Sequence, residues 1–351
     1  MRGLIWTVAG ISALLIIVLF ILLGYLLIQR TIESRRNKRV KQYKAQFVEH
    51  WLLYLLEGVD PPEGGLPQKR EAYVAIDDVF YHYCFSISDH LPRKRVRWFV
   101  ENYMVDFYKK KLLSSRWDER LNALHRITDL QLQMFVDDVR SMLRREDKVY
   151  TEAEYVQMYV IMAKFDVYDS YAYLQNPQVS LNVFHYTTIL NEAAPRIFNK
   201  VITHFNTSPL QLKLAIIDVI GLKKQVTYID VLETNLQSDD EEIRIRSLKA
   251  IDQIGFVKEA SIYAAFAQSD RWPERLMAAR IFLHIPNDWV IDALFDLLRD
   301  PSWWVRKRAA ETLSQKHGGT SLLQDVINQD TDPYAIDQAR AILARQVETG
   351  T

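Results

Sequence analysis

Two hydrophobic patterns divide the chain. From Leu4 to Ile28 the sequence is apolar and uncharged. From about Ser208 onward, apolar positions recur at helical spacing inside a longer repeat of about 31 residues. One word keeps returning there: SPLQLKLAIIDVIG, DDEEIRIRSLKAIDQIG, SDRWPERLMAARIFLHI, DPSWWVRKRAAETL and DPYAIDQARAIL. One column of it holds Lys213, Arg244, Arg275 and Arg306. Three residues on, a column holds Ile216, Ser247, Ala278, Ala309 and Ala339. Four further on come Ile220, Ile251, Phe282, Leu313 and Leu343. Such a period is the mark of a solenoid.

Each unit reads as two helices. The run VIDALFDLLR from Val290 sets Ile291, Leu294, Leu297 and Leu298 on one helical face. Asp300-Pro301 then reads as an N-cap residue followed by proline at the first helical position, a signal repeated at Ser208-Pro209 and Asp332-Pro333. The second helix carries Val305, Ala309, Ala310 and Leu313, and its small residues let a neighbouring helix approach closely. A single pair cannot bury both faces, so successive pairs must stack. The expected fold is all-α, an α-solenoid of about six or seven helical pairs.

The word resembles the HEAT-repeat family, including bacterial members with a membrane anchor. The match is clearest at Asp300, Pro301, Val305, Arg306, Ala309 and Leu313. It covers residues 208–343 well and 114–207 more loosely, where Arg120, Ala123 and Ile127 repeat it. The final unit departs, with Ile336 in the basic column. The resemblance implies a HEAT-like solenoid and specifies little about function. It also implies a hydrogen-bonded ladder between units, with Asp239, Asp270 and Asp300 as acids for the arginine column. Arginine's planar fork suits that role. A stripe reading phosphates or acidic peptides is the other reading of the same column.

The apolar run is about 25 residues long, which at ~1.5 Å per residue spans a ~30 Å hydrocarbon core. Trp6 and Tyr25 stand near its ends, where interfacial aromatics belong, and Ala9 and Ala13 form a small-xxx-small pair. A cleaved signal peptide would have a shorter apolar region and a small-residue cleavage site, so residues 1–28 read as a retained transmembrane helix. Arg30, Arg35, Arg36, Lys38, Arg39, Lys41 and Lys44 follow, with Glu33 as the one acid. Positive flanks stay cytoplasmic, which puts the N-terminus outside and the rest inside, most simply at a bacterial inner membrane. These seven residues also suit an anionic membrane surface. Residues 29–69 then read as a juxtamembrane helix, closed by a loop at 59–69. The aromatic-rich helices of 70–113 read as a cap for a solenoid over 114–351.

Charge and chemistry narrow the function. The net formal charge is zero, but residues 29–113 hold sixteen Lys and Arg against eleven Asp and Glu. Residues 114–351 hold 27 against 33, which is not the basic field of a nucleic-acid binder. The lone Cys84 excludes an intramolecular disulfide and reads as a small buried hydrophobe. The sequence contains no HExxH, Cys-x-x-Cys, Gly-rich phosphate loop or GxSxG, so no catalytic residue, metal ligand or cofactor is assigned. His185 and Glu192 are too far apart to share a metal. The adjacent pairs Asp77-Asp78, Asp137-Asp138 and Asp239-Asp240 do not converge on one point, and two of them read as helix starts or surface positions.

Four of the eight tryptophans, Trp272, Trp289, Trp303 and Trp304, fall in two neighbouring repeats. Trp272, Arg275, Trp303, Trp304 and Arg306 give the aromatic-plus-guanidinium mixture of binding hot spots. Packing of the turns by the tryptophans is the competing reading. The function expected is a membrane-anchored scaffold or accessory subunit that binds a protein partner, itself associated with the membrane. An enzyme or nucleic-acid binder built on HEAT-like repeats is the alternative.

The orientation is directly testable. A reporter active only in the cytosol, fused after residue 120, gives signal; activity from a periplasm-only reporter at that point reverses the topology.

Overall fold

The computed structural model describes the backbone at residues 2–62, 64–86 and 91–349 and side chains over 14–62, 64–84 and 91–345. The side chains of Trp6, Ala9 and Ala13 lie outside the described residues. Every regular element among the described residues is helical. The chain forms two compact units, residues 1–161 and 162–351.

In the first unit, α1 (Arg2–Glu57) joins the apolar run and the basic stretch in one unbroken helix, ~84 Å long at ~1.5 Å per residue. From Leu14 to Ile28 its large apolar side chains are exposed. Its far end is the opposite, with Trp51 and Leu55 fully buried. Trp51 stands edge-on to Tyr54, Phe80 and Phe99, with ring centroids 5.9, 5.5 and 5.0 Å away. Those partners belong to α1 itself, α2 (Arg70–Ser86) and α3 (Leu91–Phe99). Gly58 ends α1 in the left-handed region at φ 79°, and its N–H reaches the Leu53 and Tyr54 carbonyls. Arg95 Nη1 of α3 donates to the Leu55 carbonyl at 2.5 Å and caps α1. The loop expected at 59–69 lies between α1 and α2. A π-helical turn (Val100–Met104) follows α3, then α4 (Val105–Leu112), α5 (Trp117–Asp129), α6 (Val136–Leu143) and α7 (Glu152–Lys164).

A buried polar cluster holds these helices together. Asp77 accepts from the Tyr108 hydroxyl at 2.5 Å and from Lys111 Nζ at 3.1 Å, while Arg126 Nε lies 3.6 Å away. Asp78 receives Lys44 of α1 at 2.8 Å and Arg126 at 3.2 Å. Burial, reinforced by the Asp77 carboxylate, pushes the Tyr108 hydroxyl well above its ordinary pKa. Of the three acidic pairs, two do stand at helix starts: Asp137 in the first turn of α6, and Asp240 as an N-cap. Asp77 is the exception, only 3% exposed. Cys84 is buried as expected, and burial pushes its thiol up to about 11.

The second unit is the array. It continues through α8 (Ser170–Gln175), α9 (Val183–Glu192), α10 (Pro195–Thr203), α11 (Leu210–Leu222), α12 (Ile229–Asn235) and α13 (Glu241–Ile254). Then come α14 (Ala260–Ala267), α15 (Trp272–Ile281), α16 (Ile291–Leu298), α17 (Trp303–Gln315), α18 (Gly319–Gln329) and α19 (Pro333–Thr349). The second helices α9, α11, α13, α15, α17 and α19 pack each on the next. The small-residue column does what its pattern predicts: Ile216, Ser247, Ala278, Ala309 and Ala339 are all fully buried. At Gly221 a Cβ would stand 2.8 Å from the Ala250 Cα, so α11 meets α13 there only because glycine has none.

One local expectation is corrected. Asp300 does not cap α17, which begins at Trp303 after Ser302, and Ser208 does not cap α11, which begins at Leu210. The Asp300 carboxylate takes the Ser302 N–H at 2.7 Å and closes the turn before the helix. At Asp332-Pro333 the expectation holds, because Asp332 accepts from the Tyr334 and Ala335 N–H groups, both at 2.9 Å.

Candidate interaction face on the repeat helices

Three of the basic-column arginines are built alike. Nη1 of Arg120 donates to the Ser114 and Ser115 carbonyls at 2.9 and 3.0 Å. Nη1 of Arg244 reaches the Ser238 and Asp239 carbonyls at 2.8 and 3.1 Å, and Nη1 of Arg275 the Ser269 carbonyl at 2.7 Å. Each arginine thus closes the turn just before its own helix. The opposite edge reaches an acid of the following unit: Glu154 from Arg120 (2.6 and 3.1 Å), Glu274 from Arg244 (2.7 Å) and Asp300 from Arg275 (2.5 and 3.0 Å). The ladder implied by the resemblance is present, but two of its acids differ from those expected. Asp300 serves as a rung, whereas the Asp239 and Asp270 side chains face solvent; Glu274 answers Arg244 and Glu154 answers Arg120. Glu154 and Glu274 are buried and gain further donors, Thr151 N–H and hydroxyl for the first and the Ser269 hydroxyl for the second.

Burial alone would raise the Glu154 carboxyl pKa, but the Arg120 guanidinium and the Thr151 donors outweigh it and hold the group below the usual range. A carboxylate held down in the fold adds stability that is complete above its unfolded value, roughly 4.3. That stability is lost as pH falls through the lowered folded value.

The column is interrupted elsewhere. Lys213 has no fork, and its Nζ stands 5.8 Å from the Phe205 ring centroid. Arg306 keeps the near half of a rung, with Nη1 on the Asp300 and Pro301 carbonyls at 2.7 and 3.0 Å. It lacks the far half. Asp330 occupies the position equivalent to Asp300, but Arg299 already holds it at 3.2 and 2.7 Å.

A second ladder was not anticipated. Arg246 of α13 pairs with Asp218 of α11, and Arg280 of α15 pairs with Asp252 of α13 at 2.5 Å. In each the acid precedes the base by 28 residues, as in Asp230–Lys258. That recurring spacing is the sequence signal for it.

Three of the five candidate partner-binding residues are exposed. Trp272, Trp303 and Trp304 are 45, 44 and 57% exposed, and Arg306 is half-buried. Trp272 and Trp303 are the first residues of the adjacent helices α15 and α17, three positions before the arginine column. Trp303 and Trp304 meet edge to face with centroids 4.7 Å apart, and Lys307 Nζ lies 5.1 Å from the Trp303 ring centroid. Tyr334 extends this edge at the start of α19. Arg275 is engaged by Asp300 and offers little to a partner. Trp289 is exposed but stands in the turn before α16, off this edge. Of the seven membrane-surface candidates, Arg30, Arg35, Lys38, Arg39 and Lys41 are exposed and Arg36 is half-buried. Arg39 reaches Glu71 at 3.3 Å, and Lys44 is held by Asp78. Among the described residues no group of His, Cys, Asp or Glu is arranged to hold a metal ion.

A family model for HEAT repeats matches residues 259–344, which contain α14 to α18 and the first part of α19. No curated protein is significantly similar to the chain. Repeats of this kind generally mediate protein–protein interaction, and the matched span contains the whole tryptophan edge.

Two variants separate full rungs from the half rung. Arg275→Ala strands the Asp300 carboxylate and costs roughly 3–5 kcal/mol, whereas Arg306→Ala leaves only backbone carbonyls unmet and costs about 1 kcal/mol. Equal losses in denaturant titrations contradict this difference.

Glu154→Gln should lower the melting temperature at pH 7, by an amount corresponding to about 3 kcal/mol. Its deficit against wild type shrinks as pH falls below the unfolded carboxyl value and the wild-type carboxylate also protonates. Thermal melts across that range check the sign; a deficit that widens in acid excludes the assignment.

Proposed function

We propose that this protein is a membrane-anchored scaffold or accessory subunit that holds a protein partner beside the bilayer and performs no catalysis itself. The tryptophan edge carries this reading. Tryptophan is costly to expose and is among the residues most enriched in binding hot spots. Three of these rings are roughly half exposed on adjoining second helices, beside arginines whose backbone contacts hold the edge rigid. Pre-ordered aromatic anchors of this kind lose little entropy on binding.

The anchor reading rests on α1. Its exposed surface from Leu14 to Ile28 is apolar on all sides, as a lipid-facing helix is. The helix passes Ile28 without a break and ends in the Trp51 cluster, which favours a retained anchor over a removed leader. Arg30, Arg35, Lys38 and Lys41 stand exposed just beyond the apolar run, where they suit anionic headgroups and an inward-facing, cytoplasmic solenoid. The reading includes a bacterial inner membrane, a partner that is itself membrane-associated, and no nucleic acid or cofactor.

The combined Trp303→Ala and Trp304→Ala variant tests the proposal. Purified from detergent-solubilised membranes, it keeps the helical content of wild type by circular dichroism and loses the protein that co-purifies with wild type. A folded variant that retains every partner refutes this binding face, and a variant that unfolds shows the two residues to be structural.

A further inference from the structure

The half rung at Arg306 points to the chemistry of the partner. In the rungs at Arg120, Arg244 and Arg275 the Nε edge always meets a carboxylate supplied by the following unit. At Arg306 the Nε is buried and has no hydrogen-bond partner among the described residues. Two substitutions in the register leave it so. Ala335 stands where the unit two repeats earlier places Glu274, and Arg299 holds Asp330. A guanidinium stays charged in a folded protein. A buried N–H without an acceptor is unfavourable, and the edge is oriented by the two carbonyls fixed on Nη1.

The surroundings are aromatic and exposed. The Arg306 guanidinium carbon lies 4.9 Å from the Tyr334 ring centroid. Trp303 and Trp304 stand on the same first turn of α17, and all three rings are exposed. Of the other charges nearby, Lys307 and Arg308 lean on Glu311, at 3.9 and 3.0 Å, and the Asp300 carboxylate is taken by Arg275 and the Ser302 N–H. The Asp332 carboxylate caps α19.

Accepting the scaffold reading, we infer that Arg306 receives an Asp or Glu side chain of the protein partner, which completes in trans the rung that the chain leaves open. The Arg275–Asp300 pair supplies the template, two parallel N–H to oxygen bonds at 2.5 and 3.0 Å. The partner segment therefore carries an acidic residue flanked by apolar or aromatic side chains, which lie on Trp303, Trp304 and Tyr334.

The test is selection of a phage-displayed random dodecapeptide library on the full-length protein in detergent, in parallel with Arg306→Gln and Arg306→Lys. Peptides selected on wild type are enriched in Asp or Glu beside Leu, Phe, Trp or Tyr. Synthesised and measured by fluorescence anisotropy, they bind about tenfold or more weakly once the acid is changed to its amide. Arg306→Gln binds the acidic peptide as weakly as wild type binds the amide, and Arg306→Lys lies between. An enriched pool with no acidic preference, or a preference that survives in Arg306→Gln, overturns the carboxylate assignment while leaving the tryptophan edge as a docking face. Tighter binding of a phosphoserine version of the peptide, or of phosphatidylserine vesicles, assigns the edge to phosphate and overturns it as well. If no peptide is enriched and the Trp303/Trp304 double variant keeps its co-purifying protein, the scaffold reading falls with it.

Discussion

A guanidinium places five N–H donors in one plane, and that fixed fork turns helix pairs into an array here. Every second helix must begin after a tight turn whose carbonyls have no helical partners. Nη1 of the column arginine closes that turn in its own unit, and the Nε edge reaches the acid of the next. One side chain thus sets the local start of a helix and the spacing of its neighbour. The acids gain as much as the arginines: Glu154, Glu274 and Asp300 are nearly inaccessible to water, where an unpaired carboxylate would be strongly destabilising. A lysine cannot serve, because its single nitrogen has no second edge to offer. At Lys213 the rung is replaced by an ammonium lying near an aromatic ring.

The first unit holds the Arg120–Glu154 rung and adds a second buried polar cluster. Asp77 is buried among Tyr108, Lys111 and Arg126, and Asp78 draws Lys44 in from the basic stretch of α1. With the Trp51 cluster and the Arg95 cap on Leu55, this fixes the end of α1 to α2 and α3. The helix that carries the apolar run is therefore part of the fold of this unit and not a flexible tether. Its basic residues divide by position: the earlier ones face solvent, whereas Lys44 has become a structural cation.

The helical architecture was legible in the sequence because it rests on periodicity. The small column and the large column after it followed from spacing, and the apolar run from its length and composition. Acid partners were not legible in the same way. Arginines recur at a constant interval, but the acids that answer them come from positions 34, 30 and 25 residues further on, since either the helix start or the preceding turn can supply them. Asp-Pro pairs were ambiguous for a related reason. An aspartate before a helix can cap it, as Asp332 does, or turn its carboxylate toward the preceding unit, as Asp300 does, and local sequence is the same in both. Asp77 was missed because adjacent carboxylates suggest a surface, and its three partners lie 31 to 49 residues away in helices that the local pattern does not connect.

The binding face and the ladder share a cause. Residues three apart on a helix lie on one side, so a tryptophan at the first position of α15 or α17 stands beside the arginine that closes the turn. The turn must be rigid for the array to stack, and the ring beside it is thereby held outward in a defined place. A sequence column cannot say whether such an arginine is structural or a ligand for something else, because its near edge is used in the same way in either case. What separates them is the supply of acid from the next unit. Arg275 has one and is internally satisfied. Arg306 has lost its own to Arg299, and it lies where three exposed rings converge at the starts of α17 and α19. The array thus leaves this rung unfinished beside the exposed rings of Trp303, Trp304 and Tyr334.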